Sequence, residues 1–167
     1  MLRRTLRRPN TAAAPLTLPL PELTKLGYHV QVPWPVAWGE QDCFGHVNNT
    51  VYFKYFENVR IVYFQRVGIA ADPKTMRVGP ILGSIECRFK RPMTFPDEAV
   101  LVARVRAMHA DRFVLEHGVF SRRLGRLAAV GDGLIVPYDY STLKRAPMPA
   151  EWTAAVAALD GTAMTPV

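Results

Sequence analysis

Between residues 38 and 57 the chain reads Trp-Gly-Glu-Gln-Asp-Cys-Phe-Gly-His-Val-Asn-Asn-Thr-Val-Tyr-Phe-Lys-Tyr-Phe-Glu, and most of the side chains able to do chemistry sit here. Asp42 precedes Asn49 by seven residues, close enough in a compact loop for its carboxylate to face a helix beginning there. Unpaired backbone N–H groups and the helix dipole favour negative charge at such a place. A carboxylate so held can act as a base toward water or attack a carbonyl, and the amides can hold the oxyanion that develops. Taken alone, an Asp near a helix start is more ordinarily a turn residue or a cap. His46 can orient Asp42 or a substrate, or can be a turn histidine bonded to a backbone carbonyl. Asn48 and Asn49 can position substrate or water, although capping and tolerance of left-handed backbone also explain asparagine here. Cys43 with His46 is a weak thiol–imidazole pair, because no third group is evident to orient it. Glu57 is either a second carboxylate or a solvated charge.

These residues need elements to hold them. From Val30 the apolar residues Val30, Val32, Trp34, Val36 and Trp38 fall on alternate positions, one face of a strand, and Pro33 and Pro35 place that strand at an edge. After the turn-like run 39–49, the segment Thr50 to Val67 is crowded with apolar residues without alternation. Lys54, Glu57, Asn58 and Gln65 share one narrow face, so a helix buried on most sides is predicted, capped by Asn48 or Asn49 and stopped by Gly68. The rest reads as strands over Ile81 to Lys90, Ala99 to Met108, Arg112 to Ser121 and Arg126 to Tyr138, the last three as an antiparallel meander. Gly131 and Gly133 mark a bend or the close approach of another backbone. Pro149 to Leu159 reads as a short terminal helix. One long buried helix followed by antiparallel strands predicts an α+β domain in which the sheet wraps round the helix, the hotdog fold. The expected division is an irregular basic lead-in over 1–27, the domain over 28–160 and a tail over 161–167.

At 167 residues, 49% hydrophobic and 21% charged, the chain fits one globular domain. No apolar run is long enough to span a membrane. Cys43 and Cys87 are too few for a disulfide framework and lack CxxC spacing, so no metal site is expected and a reducing compartment fits best. The net charge of +7 owes four of its charges to Arg3, Arg4, Arg7 and Arg8. That leader reads as a solvated arm or an import signal, so the cytoplasm is expected, with the mitochondrial matrix as the alternative in a eukaryote. The remaining arginines are scattered without an aromatic platform, which argues against nucleic acid.

The run from Trp38 to Asn49, with Val51-Tyr52-Phe53 and Tyr55-Phe56-Glu57 after it, resembles the signature of the 4-hydroxybenzoyl-CoA thioesterase-like family of hotdog enzymes, in the branch reading Gly-His-Val-Asn-Asn. Arg88-Phe89-Lys90-Arg91-Pro92 is similar to the family's strand ending in Pro, and the likeness covers about Val30 to Asp139. The resemblance implies hydrolysis of acyl-CoA without cofactor or metal, by a homodimer or homotetramer, with no membrane or nucleic-acid partner. It implies that Asp42 is general base or nucleophile and that the backbone amide of Asn49 polarises the thioester carbonyl. Arg88, Lys90 and Arg91 become candidates for the CoA phosphates, as cations suit that role, or they solvate a strand end. Two other functions are a hotdog enoyl-thioester hydratase or dehydratase and a non-catalytic acyl-thioester-binding module.

Overall fold

The structure, a computed structural model, describes residues 18–69 and 76–163, so the four N-terminal arginines lie outside the described residues. Its centre is helix α2, Asn49–Arg66. Asn48 caps it, its Oδ1 accepting from the Thr50 N–H at 2.9 Å, and Gly68 ends it in the left-handed region at φ 69°. Val51, Tyr52, Tyr55, Phe56, Val59, Tyr63 and Phe64 are buried round most of its circumference. The exposed stripe is Lys54, Glu57, Ile61 and Gln65, so of the polar face expected from sequence three residues are exposed, Asn58 is half-buried and Ile61 is added.

An antiparallel sheet curls round this helix. Its strands are β1 (Val30–Pro35), β2 (Val78–Ile85), β3 (Arg88–Phe89), β4 (Glu98–Met108), β5 (Phe113–Ser121), β6 (Arg126–Asp139) and β7 (Lys144–Arg145), in the order β1-β4-β5-β6-β2, with β3 and β7 also on β6. This is the hotdog arrangement expected from the pattern. β1 is an edge strand, as its prolines require, pairing Val30 with Ala103 and Trp34 with Ala99 of β4. The meander β4-β5-β6 is present, and its inward side chains, Leu101, Val105, Leu115 and Ile135 among them, form one core with α2.

Three expectations are corrected. The apolar alternation of β1 does not extend to Trp38: the strand stops at Pro35, and Trp38 opens a short 3-10 turn over Trp38–Glu40 with 72% of its surface exposed. The strand read over Ile81 to Lys90 begins earlier, at Val78, and is broken between β2 and β3 at Glu86 and Cys87. Its ladder is interrupted where the Glu86 carbonyl crosses Gly131, which is the close backbone approach that glycine allows. Residues 18–27 are not wholly irregular. They contain helix α1, Pro21–Lys25, and Leu23 packs with Tyr28, Val100, Val102 and Phe120 in a second cluster on the outer face of the sheet. One feature of α2 runs against its residue type: Arg60 is buried at 9% exposure, although arginines usually reach solvent.

The terminal helix is found as α3, Ala150–Asp160, seated by Trp152 and Val156. Asp160 ties it to the core, its Oδ2 accepting from the Tyr63 hydroxyl at 2.6 Å and the Val105 N–H at 2.7 Å.

His117 of β5 is fully buried, stacked on Phe56 with ring centroids 5.0 Å apart. Burial, helped by the nearby charge of Arg60, pushes its pKa down to about 3, from an ordinary 6.5. The unfolded chain therefore binds a proton that the folded chain refuses. The stability this neutral ring contributes is complete above pH 6.5 and is lost as pH falls from there toward 3. Between pH 7 and 4.5 the loss from this group is expected to be about 2–3 kcal/mol. Urea unfolding at both pH values should show that His117→Leu falls less steeply than the parent by this amount; parallel curves would mean the ring is not held neutral.

Candidate active site

The loop before α2 is a closed turn. Gln41 and Val47 bridge across it, the Asp42 N–H donates to the His46 carbonyl at 2.8 Å, and the Gly45 N–H donates back to the Asp42 carbonyl at 3.0 Å. Gly45 has φ 75°, a conformation that a side chain would strain. The Phe44 N–H donates to Asp42 Oδ1 at 2.9 Å, an Asx turn that fixes the carboxylate. Asp42 Oδ2 accepts no hydrogen bond among the described residues.

The loop is pinned from behind. The Val47 N–H donates to the Met93 carbonyl and the Asn48 N–H to the Glu40 carbonyl, both at 2.8 Å. Glu40 Oε2 in turn accepts from the Ala37 N–H at 2.8 Å and from the hydroxyl of buried Tyr55 at 2.6 Å. Burial, with Glu40 beside it, raises the Tyr55 pKa well above the usual phenol range, so the hydroxyl remains a donor. Gln41 Oε1 accepts from the Phe95 N–H at 3.0 Å, and Phe95 meets Trp38 edge-on at 5.8 Å.

At the start of α2 the Asn48 side chain takes the Thr50 N–H and the Asn48 carbonyl takes the Val51 N–H. The Asn49 N–H, first in the helix, has no acceptor among the described residues. Asn49 lines an open cleft of about 360 Å³, and Asp42 lines the same cleft. His46, Val47 and Tyr52 line it further, and Phe89, Lys90, Arg91 and Pro92 form the wall from β3 onward. Tyr52 is buried against Phe89, ring centroids 5.2 Å apart, and burial pushes its pKa up to about 12. The lining thus combines aromatic rings with two cationic side chains.

Of the residues singled out in the sequence, Asp42, His46, Asn49, Lys90 and Arg91 come together in this cleft. Asn48 is a helix cap. Arg88 is turned to acids, pairing with Glu86 and lying 3.7 Å from Asp132. Cys43 is exposed on the turn and Glu57 is exposed two turns along α2, and neither lines the cleft. The apolar crowding of the helix assigns Tyr52 to the core; it is both buried and a wall of the cleft, which its position three residues after Asn49 on one helix face could have revealed. Sequence reasoning missed Glu40, since nothing local distinguishes an acid that takes a tyrosine hydroxyl fifteen residues on. No three His, Cys, Asp or Glu side chains are grouped to hold a metal ion among the described residues.

The hotdog sheet round a long helix defines a class of protein, and the comparisons agree with that fold. Residues 36–156 match the family model of the thioesterase-like superfamily, and the chain belongs to that superfamily. A thioesterase from Thermus thermophilus, solved in complex with coenzyme A and Zn, is 30% identical with a TM-score of 0.70, over 84% of this chain and 98% of that one. A thioesterase superfamily structure from Jannaschia sp. CCS1 superposes with a TM-score of 0.77 at 21% identity, over 90% of this chain and 99% of that one, which shows the fold alone. The chain spans about half the length of the curated relatives it matches. One is the chloroplastic acyl-acyl carrier protein thioesterase ATL3 of Arabidopsis thaliana, 34% identical over 83 residues, 48% of this chain and 43% of that one. No helix among the described residues is long and apolar enough to cross a membrane.

Proposed function

We propose that this chain is an acyl-CoA thioesterase, with Asp42 as general base or nucleophile and the Asn49 backbone amide as oxyanion donor. The observation that carries the reading is that Asp42, with one carboxylate oxygen uncommitted among the described residues, and Asn49, with its N–H unpaired among them, line a single cleft. The thioester carbonyl oxygen points at the Asn49 N–H, where the helix dipole stabilises the charge that grows on it. Asp42 either takes a proton from the attacking water or adds to the carbonyl carbon itself. In both routes the C–S bond breaks and coenzyme A leaves as thiol, the second route adding hydrolysis of an acyl–Asp42 anhydride. Membership of the superfamily and the coenzyme A bound to the Thermus relative support this choice of carrier.

A panel of acyl-CoAs tests it, by release of free thiol from the purified protein. Addition of water to enoyl-CoA without thiol release would favour the hydratase reading instead, and tight acyl-CoA binding with neither reaction would favour a binding module. Lys90 and Arg91 supply the cations for the coenzyme phosphates. Replacing both by Ala is expected to raise KM for acyl-CoA about 3–10-fold with kcat little changed, as for two exposed ionic contacts. The same variant should lose nothing toward a truncated thioester without phosphates; an equal loss there would remove the role.

The active form is a homodimer or homotetramer. The outer edge of β2 carries no partner strand among the described residues, and Ile81 and Leu82 stand 38% exposed along it, an edge that a second copy would cover. Light scattering that returned a monomer mass at micromolar concentration would contradict this.

A further inference from the structure

The turn that carries Asp42 is closed by bonds internal to it: those of the Asp42 and Gly45 N–H groups and the Asx turn to Phe44. They fix its shape and leave its place relative to α2 to whatever ties it outward. Two ties run away from the helix. The Val47 N–H donates to the Met93 carbonyl and Gln41 Oε1 accepts from the Phe95 N–H, so both reach the segment before β4. Among the described residues the hydrogen-bonded tie to α2 is Glu40. Its carbonyl accepts the Asn48 N–H at 2.8 Å, beside the Asn49 amide, and its Oε2 accepts from the Tyr55 hydroxyl at 2.6 Å. Glu40 stands two residues before Asp42, so one residue joins the carboxylate-bearing turn, the helix cap and the body of the helix.

Tyr55 is a fixed anchor for that tie. It lies six residues after Asn49, about 9 Å along the helix axis. Its ring is buried and meets Tyr52 edge-on with centroids 6.2 Å apart, and a ring so packed has little freedom to turn. A phenylalanine would fill the same place without burying a hydroxyl, so packing does not account for the tyrosine. Glu40 does not line the cleft, and its Oε2 already takes the Ala37 N–H as well as the Tyr55 hydroxyl. It is held to the framework and does not meet a substrate. What the bond sets is the spacing between the Asp42 turn and the start of α2.

We propose that Glu40 and Tyr55 are positioning residues, their hydrogen bond holding the Asp42 turn at reacting distance from the Asn49 amide. The role rests on the thioesterase reading above. Displacing a reacting group by about 1 Å costs on the order of 100-fold in rate, and the coenzyme contacts to Lys90 and Arg91 do not depend on it.

Thiol release by Tyr55→Phe, Glu40→Ala and Glu40→Gln, with amide exchange on the same proteins, tests the role. Tyr55→Phe is expected to lower kcat about 10–100-fold, with KM within about twofold and Tm within a few degrees of the parent. Glu40→Ala should lose at least as much, whereas Glu40→Gln, whose amide oxygen can accept both donors, should recover most of that loss. Combining Tyr55→Phe with Glu40→Ala should add little to the larger single loss, and Tyr55→Phe should cost nothing further in an Asp42→Asn background. A residue that only supported the fold would lower Tm and leave kcat of the folded fraction unchanged. Exchange of the Asn48 N–H, bonded to the Glu40 carbonyl, is expected to quicken about tenfold in Tyr55→Phe while that of Leu115 in the sheet keeps its rate. A parent that released no thiol would remove the thioesterase reading, and the Asn48 exchange would still decide whether the bond holds the turn. Turnover by Tyr55→Phe within about twofold of the parent, a loss carried by KM instead, Glu40→Gln as damaged as Glu40→Ala, losses that multiply in the double variant, or unchanged Asn48 exchange would each overturn the assignment.

Discussion

Asp42→Asn is expected to lower thiol release from acyl-CoA by about 10²–10⁴-fold, the range that a positioned general base supplies, with little change in KM or in Tm. The substitution is a clean one for structural reasons. The amide oxygen of Asn can still accept from the Phe44 N–H, so the turn closed by the Asp42 and Gly45 N–H groups has no cause to open. The Val47 and Asn48 anchors to Met93 and Glu40 are backbone bonds and do not involve the side chain at all. What is removed is the negative charge of a side chain that lines the cleft, and with it both the capacity to take a proton from water and the capacity to form an acyl anhydride. Stopped assays of thiol release at saturating acyl-CoA, beside a melting curve of the same preparation, decide the matter. Turnover within a factor of about three of the parent by a folded variant would remove Asp42 from the mechanism.

The reach of the sequence here follows from which interactions are local. Asp42 and Asn49 were legible because seven residues of tight turn leave few ways to separate them, and the helix was legible because Lys54, Glu57 and Gln65 can share a face only at helical spacing. Pro33 and Pro35 announced an edge strand by chemistry that needs no partner to be known. Trp38 misled because side-chain alternation continues through Val36 regardless of where the backbone ladder ends. α1 is too short for any period to show, and its Leu23 is buried by residues of β4 and β5 that lie more than seventy positions away. Arg60 illustrates the same limit on charge: helical spacing puts it on the apolar side, yet only the folded chain shows its Nη1 buried without a hydrogen-bond partner among the described residues. Glu40 entered the site by its contact with Tyr55, fifteen residues on, which no local pattern encodes.

Gly131→Ala is expected to be the most damaging small substitution in the sheet, lowering stability by about 4 kcal/mol and Tm by about 10 °C. A Cβ at this position would lie 2.0 Å from the Glu86 carbonyl oxygen and 2.8 Å from Cε2 of Phe56. The first clash is with backbone, which cannot rotate aside, and the second is with a ring that is fully buried and stacked on His117. Relief therefore requires the link between β2 and β3 to move away from β6, pulling at the Glu86 N–H bond to the Asp132 carbonyl and at the pairing of Arg88 with Val130. β3 contains Phe89 and leads directly into Lys90 and Arg91, so the same displacement carries the cationic wall of the cleft with it, and acyl-CoA KM should rise alongside the loss of stability. Gly39→Ala is the matched control, since a Cβ there meets nothing within 4 Å and its backbone is not in the left-handed region. Thermal unfolding of the two variants side by side should separate them by most of that shift. A Gly131→Ala protein melting within about 2 °C of the parent would show that the crossing of Glu86 over β6 is loose, and that this glycine answers to some other need.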